Sequence, residues 1–113
     1  MGLFGKKNNG TPVSKLKISV KKDGDTYVVS IEGRLDTLTS PQLDSEINKI
    51  IGDAKKLVLD LGELAYISSA GLRVLLGAAQ QLDGKGEMAL VHVTEAVREI
   101  FDVTGFLQIF NIE

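Results

Sequence analysis

Leu57-Val58-Leu59-Asp60-Leu61 follows Lys55-Lys56 directly and places four aliphatic side chains in five residues. A run so short and so apolar suits a central strand buried on both faces. On either side of it the pattern becomes helical. Upstream, Leu43, Ile47, Ile50 and Ile51 fall at i, i+4, i+7 and i+8, one apolar stripe. Ser40 is placed to cap that helix, with Pro41 at the first helical position, where its missing N–H costs nothing, and Gly52 ends it. Downstream, Leu72, Leu75, Leu76, Ala79 and Leu82 form the core stripe of a helix from near Ser69 to about Asp83, with Gly84 as the stop. A strand between two helices points to an α/β chain.

Working outward, Leu16-Lys17-Ile18-Ser19-Val20-Lys21 alternates apolar and polar residues strictly, the period of a strand with one buried face. Asp23-Gly24-Asp25 is a turn signal, and Tyr27 to Gly33 makes the second strand of a β-hairpin. Beyond Gly84, Met88-Ala89-Leu90-Val91-His92-Val93 reads as another buried strand. Thr94 caps a helix from Glu95 to Asp102 with Val97, Ile100 and Phe101 inward. Gly105 then turns the chain into a last short strand around Gln108-Ile109-Phe110-Asn111. The expected order is β-β-α-β-α-β-α-β, a mixed sheet of four or five strands with helices packed against it. Residues 15–113 form this single domain, and the Gly-, Lys- and Asn-rich residues 1–14 read as a flexible basic leader.

The 113 residues suffice for one domain and one modest core, built from Leu, Ile and Val because aromatics make up only 5%. The sequence has no Cys, which excludes disulfides, a thiol nucleophile and a Cys-based zinc site. A single His, His92, excludes a His-rich metal site. The net charge of −2 is uneven: residues 1–22 carry six Lys and no acid, so the other seven Lys/Arg face all 15 Asp/Glu, a net of −8. A body that acidic repels a phosphate backbone, so nucleic acid is not an expected partner. No apolar run approaches the ~18 residues of a membrane span. The opening Met1-Gly2-Leu3-Phe4-Gly5-Lys6 lacks the apolar core of a signal peptide. Both observations, with the missing Cys, point to the cytoplasm and to no membrane partner.

Most catalytic readings fail. Gly84-Lys85-Gly86 follows a helix and is a C-cap turn, not a phosphate loop, and no dinucleotide fingerprint occurs. Asp60 and Glu63 carry no signal of a paired-carboxylate site, and His92 within an apolar strand suits a packed residue better than a base. No cofactor is implied. The stretch Leu59 to Leu72 is different, because a buried strand ends near Leu61 and a loop carries two adjacent serines, Ser68 and Ser69, to the start of a long helix. A helix N-terminus favours an anion, so a serine there is well placed to carry a phosphate, although an ordinary N-cap serine reads the same way. Gly71 in the first turn is a poor helix former, which suggests a close approach to the backbone.

This stretch resembles the signature of the STAS domain, in particular of bacterial anti-sigma factor antagonists. Asp60-Leu61, Tyr66-Ile67-Ser68-Ser69-Ala70-Gly71-Leu72 and Val74-Leu75-Leu76 follow that signature position by position. Gly33-Arg34-Leu35-Asp36 with Ser40-Pro41 matches a second landmark, and Phe101-Asp102-Val103-Thr104-Gly105-Phe106 resembles the family's closing helix and turn. The resemblance covers residues 14–113. It implies a STAS fold and a non-enzymatic, monomeric regulator that binds an anti-sigma factor and releases a sigma factor. The anti-sigma factor in such systems is also a serine kinase, and a PP2C-type phosphatase resets the antagonist. By resemblance the phosphorylated residue is Ser69, with Ser68 as the alternative, since the family often has Asp at position 68 and Ser or Thr where Ala70 stands. Asp36, Ser68, Ser69, Ala70, Gly71 and Arg73 are the residues expected at the partner surface. A STAS adaptor in a stress-sensing or lipid-transport complex is an alternative, as is a phosphocarrier acting through His92.

Overall fold

Residues 15–113 are described by the computed structural model, so the expected leader, 1–14, lies outside the described residues. Within them the chain forms β1 (Leu16–Asp23), β2 (Thr26–Leu35), α1 (Ser40–Ile50), β3 (Lys56–Ile67), α2 (Ser69–Leu82), β4 (Glu87–Val91) and α3 (Glu95–Thr104), then a short 3-10 turn, Phe106–Gln108. The strands lie in the order β1-β2-β3-β4. The hairpin β1–β2 is antiparallel, whereas β2–β3 and β3–β4 are parallel, each joined through a helix. This is the expected mixed α/β sheet, with four strands.

Alternation along the strands decides where the helices go. Tyr27, Val29 and Ile31 of β2 are buried, and so are Leu57, Leu59 and Leu61 of β3, while Val28, Ser30, Val58 and Asp60 between them are half-buried. The buried set forms one core with Leu43 and Ile47 of α1, Leu72, Leu75 and Leu82 of α2, and Val97 and Phe101 of α3. All three helices thus gather on one face, and β3 is covered on that face alone. The expectation of burial on both faces is corrected: Val58 and Asp60 point to the side the helices leave open.

β3 also runs beyond Leu61, where the apolar run ends, through to Ile67. From Asp60 to Glu63, and again from Leu64 to Tyr66, it advances one residue more than the paired stretches of β2. Each extra residue is a bulge. The buried positions accordingly step from every second residue (Leu57, Leu59, Leu61) to every third (Leu64, Ile67). The expected loop before Ser68 is therefore strand, bent by two bulges.

Three further expectations change. Ser40 is the first residue of α1 rather than its cap; Thr39 holds the cap position, and the Ser40 hydroxyl donates to the Asp36 carbonyl instead. β4 stops at Val91, and His92 takes a left-handed φ of 57° with an exposed side chain, so it is not a packed strand residue. The last strand is absent: after Gly105, in a left-handed C-cap, the chain makes the 3-10 turn and meets β4 at a single bridge, Leu90 with Ile112. Phe110 explains this, because its ring turns in against Phe101 (5.5 Å) and Phe106 (5.4 Å) and leaves Ile109 exposed.

Two glycines of α2 have opposite roles. A Cβ at Gly77 would meet nothing within 4 Å, whereas one at Gly71 would lie 2.7 Å from Leu35 Cγ and 2.9 Å from Ile67 Cγ1. Gly77→Ala is expected to raise stability by about 0.5–1 kcal/mol through helix propensity. Gly71→Ala is expected to lower it by roughly 1–2 kcal/mol, since overpacking outweighs that gain. Urea unfolding midpoints at constant m-value would check both signs.

Candidate functional site

The parallel pairing of β2 and β3 brings the loop after Leu35 beside the start of α2. Leu35 pairs with Ile67, and the next amide, Ser68 N–H, donates to the Leu35 carbonyl at 2.8 Å. Ser68 is extended (φ −96°, ψ 175°), and its hydroxyl accepts from Gly71 N–H at 3.3 Å, so Ser68 is the N-cap of α2. Its side chain is committed to an orphan amide of the first turn. Ser69 is the first helical residue and is exposed. The first turn of α2 carries no acidic side chain of its own to offset the positive end of the helix dipole.

The close approach implied by Gly71 is made by the chain's own core. Gly71 is buried against Leu35 and Ile67, Ala70 is half-buried, and Arg73, one turn further along, is exposed. Asp36 sits across from them and organises its loop. Asp36 Oδ1 accepts from Leu38 N–H (3.0 Å) and Thr39 N–H (3.1 Å), an Asx-type turn. The Thr39 hydroxyl accepts from Asp36 N–H (2.9 Å) and donates to the Arg34 carbonyl (2.7 Å), which satisfies a side chain buried to 5% exposure. Asp36, Ser68, Ser69, Ala70, Gly71 and Arg73 thus fall into one neighbourhood at the ends of β2 and β3.

Two features there were not singled out from the sequence. Leu38 is 80% exposed at the tip of the Asp36 turn, and the Arg34 guanidinium stacks over the Tyr66 ring at 4.5 Å. The second follows from register alone, since Arg34 and Tyr66 are cross-strand partners.

His92 belongs to a different place. Its Nδ1 lies 3.1 Å from Asp60 Oδ1, which also accepts from Gly62 N–H at 3.0 Å beside the first bulge. Partial burial opposes ionisation of Asp60, but the Gly62 amide and the His92 ring together outweigh it and hold the carboxyl below its ordinary value. Among the described residues no group of three or more His, Asp or Glu could hold a metal ion, and no helix is long and apolar enough to cross a membrane.

A family model for the STAS domain matches residues 17–113, and the chain belongs to that family. Within it the chain falls with the anti-sigma factor antagonists, which are regulators and not enzymes. It is 37% identical over 99 residues to BtrV of Bordetella bronchiseptica, a candidate anti-sigma factor antagonist, covering 86% of this chain and 85% of that one. The crystal structure of an anti-sigma factor antagonist from Mycobacterium paratuberculosis superposes with a TM-score of 0.80 at 26% identity, over 87% of this chain and 85% of the other. The Bacillus cell fate determinant SpoIIAA in its phosphorylated form shares the fold, with a TM-score of 0.68 at 20% identity over 86% and 91% of the two chains.

Ser68→Ala removes the α2 cap and is expected to cost about 1 kcal/mol. Ser69→Ala, with no cap to lose, should leave the thermal midpoint nearly unchanged. For Asp60, the lowered folded pKa means stability that is present above the unfolded pKa and lost as pH falls through the folded one. Asp60→Asn should therefore be less stable than the parent at pH 7. The gap should close progressively as pH falls from about 5 toward 3 in unfolding titrations.

Proposed function

We propose that this chain is an anti-sigma factor antagonist that works by partner switching. In the unmodified state its surface around Asp36, Ser68, Ser69 and Arg73 binds an anti-sigma factor, and the sigma factor held by that protein is released. The anti-sigma factor is also the serine kinase, and Ser69 is its target. The Ser69 Oγ–phosphorus bond forms as the bond from the γ-phosphorus of ATP to its bridging oxygen breaks. ADP leaves, and the hydroxyl proton passes to a base on the kinase. The modified chain dissociates, and a PP2C-type phosphatase hydrolyses the phosphoserine to restore the serine. The setting is the cytoplasm.

One observation carries this reading: of two adjacent serines, Ser68 has its hydroxyl engaged as the α2 cap while Ser69 is exposed at the first helical position. Membership among the anti-sigma factor antagonists supports the choice of partner. A fold relative that exists in phosphorylated form supports the modification.

The magnitudes suffice. A phosphate adds about −1.5 to −2 charges. One unit charge about 5 Å from a partner carboxylate costs about 3 kcal/mol at an effective dielectric of 20. A hundredfold loss of affinity needs only about 2.7 kcal/mol. The His92 phosphocarrier reading loses the obstacle of burial, since His92 is exposed, but its Nδ1 is taken up by Asp60 and nothing else favours it.

The deciding experiment incubates the chain with its cognate anti-sigma kinase and ATP, followed by mass spectrometry. Ser69→Ala should stay folded, bind the kinase and take up no phosphate; Ser68→Ala should be modified, at a position mapped to 69. Ser69→Asp, with one charge and fewer acceptor oxygens, should weaken binding only in part. Phosphate on Ser68 with Ser69 unmodified would reverse the assignment. No phosphate on either, together with tight binding, would make the chain an unswitched adaptor.

A further inference from the structure

Arg73 stands four residues after Ser69 on α2, and both are exposed. Residues at that spacing are neighbours on a helix, with about 5–6 Å between their Cβ atoms. Helical side chains also lean toward the N-terminus, so a long one at 73 covers the turn that carries 69. Among the described residues the Arg73 guanidinium has no ion pair; the four present join Lys22 to Asp53, Lys49 to Glu46, Lys56 to Glu87 and His92 to Asp60. Arg34, the other guanidinium near the junction of β3 and α2, is already stacked on Tyr66.

Taking Ser69 as the modified residue, as proposed above, we infer that Arg73 is the intramolecular partner of its phosphate. The planar guanidinium fork matches two phosphate oxygens at once, which an ammonium does not. One helical turn is the reach required, and no backbone has to move. Modification then alters the partner surface twice over. It adds a dianion, and it ties up a cation that the unmodified chain holds out to solvent. Both changes oppose a partner whose contact surface is acidic.

The test places phosphoserine at position 69 of the full chain by genetic encoding, without a kinase, and titrates the phosphate by 31P NMR. Its second pKa is ordinarily about 6. Arg73 favours the dianion and lowers that value, so Arg73→Gln should raise it by about 0.2–0.4, the size expected when an exposed i,i+4 pair gains one further unit of charge. The difference should shrink in about 1 M salt. Arg73→Lys should recover part of the shift, because it keeps the charge and loses the fork. Arg34→Gln should leave the phosphate titration unchanged. Equal titrations of the parent and Arg73→Gln overturn the inference, as does a shift produced by Arg34→Gln in its place. Because no kinase is used, a failure of the kinase to modify Ser69 would sink the function proposed above and leave this measurement standing.

Discussion

The first turn of α2 lies so close to the ends of β2 and β3 that Leu35 and Ile67 occupy the space a side chain at position 71 would need. That approach is fixed from both sides. The Ser68 amide is bonded to the Leu35 carbonyl, and Leu35 and Ile67 are paired across the sheet. With the backbone at 71 held against the core, Ser68 must be extended and Ser69 must be the first residue to turn outward. The exposure of Ser69 is therefore a consequence of packing beneath it, and the Asp36 loop is drawn in by the same strand ends. Glycine at 71 costs helix propensity, and what it permits is a helix N-terminus seated rigidly on the sheet.

The bulges in β3 serve the same end. Without them the period of two would carry Leu64 and Tyr66 to one face and leave Ile67 on the other. The first extra residue turns Leu64 to the helix-covered face and the second restores Ile67 to it, so the strand can run on to the α2 junction with its apolar side chains still buried. The first bulge is held by Asp60, which accepts the Gly62 amide and the His92 ring at the open face. Asp60 is thereby explained as a structural acid rather than as half of a catalytic pair.

Much of this was legible in the residues. Strict alternation from Leu16 to Lys21 gave the hairpin, although its apolar face is covered only at Leu16 and in part at Ile18, and the i, i+4, i+7 stripe from Leu43 gave α1, where Leu43 and Ile47 are buried. The run at Leu57 misled because half-burial on an open sheet face tolerates Val58, so composition alone could not distinguish one covered face from two. The steps from Leu61 to Leu64 and Ile67 did mark the bulges, but a spacing of three reads as a loop until register with β2 is known. The last strand expected around Gln108 to Asn111 does not form, for a tertiary reason: Phe110 is captured by Phe101 and Phe106, and local strand propensity yields to that ring cluster. At the site, two adjacent serines are equivalent by residue type. The cap bond from Gly71 N–H to the Ser68 hydroxyl, together with the exposure of Ser69, separates them.

That separation matters for how a switch on this face can operate. A phosphate on a capping serine would break the cap and disturb the first turn, coupling modification to folding. A phosphate on the next residue would leave the cap intact, gain from the helix dipole, and require no movement of the backbone. The unmodified and modified chains then differ in surface charge over one turn of one helix, on a body whose core is untouched. Partner exchange driven this way needs neither a second conformation nor a reserve of stability. It can be reversed by hydrolysis of a single ester bond.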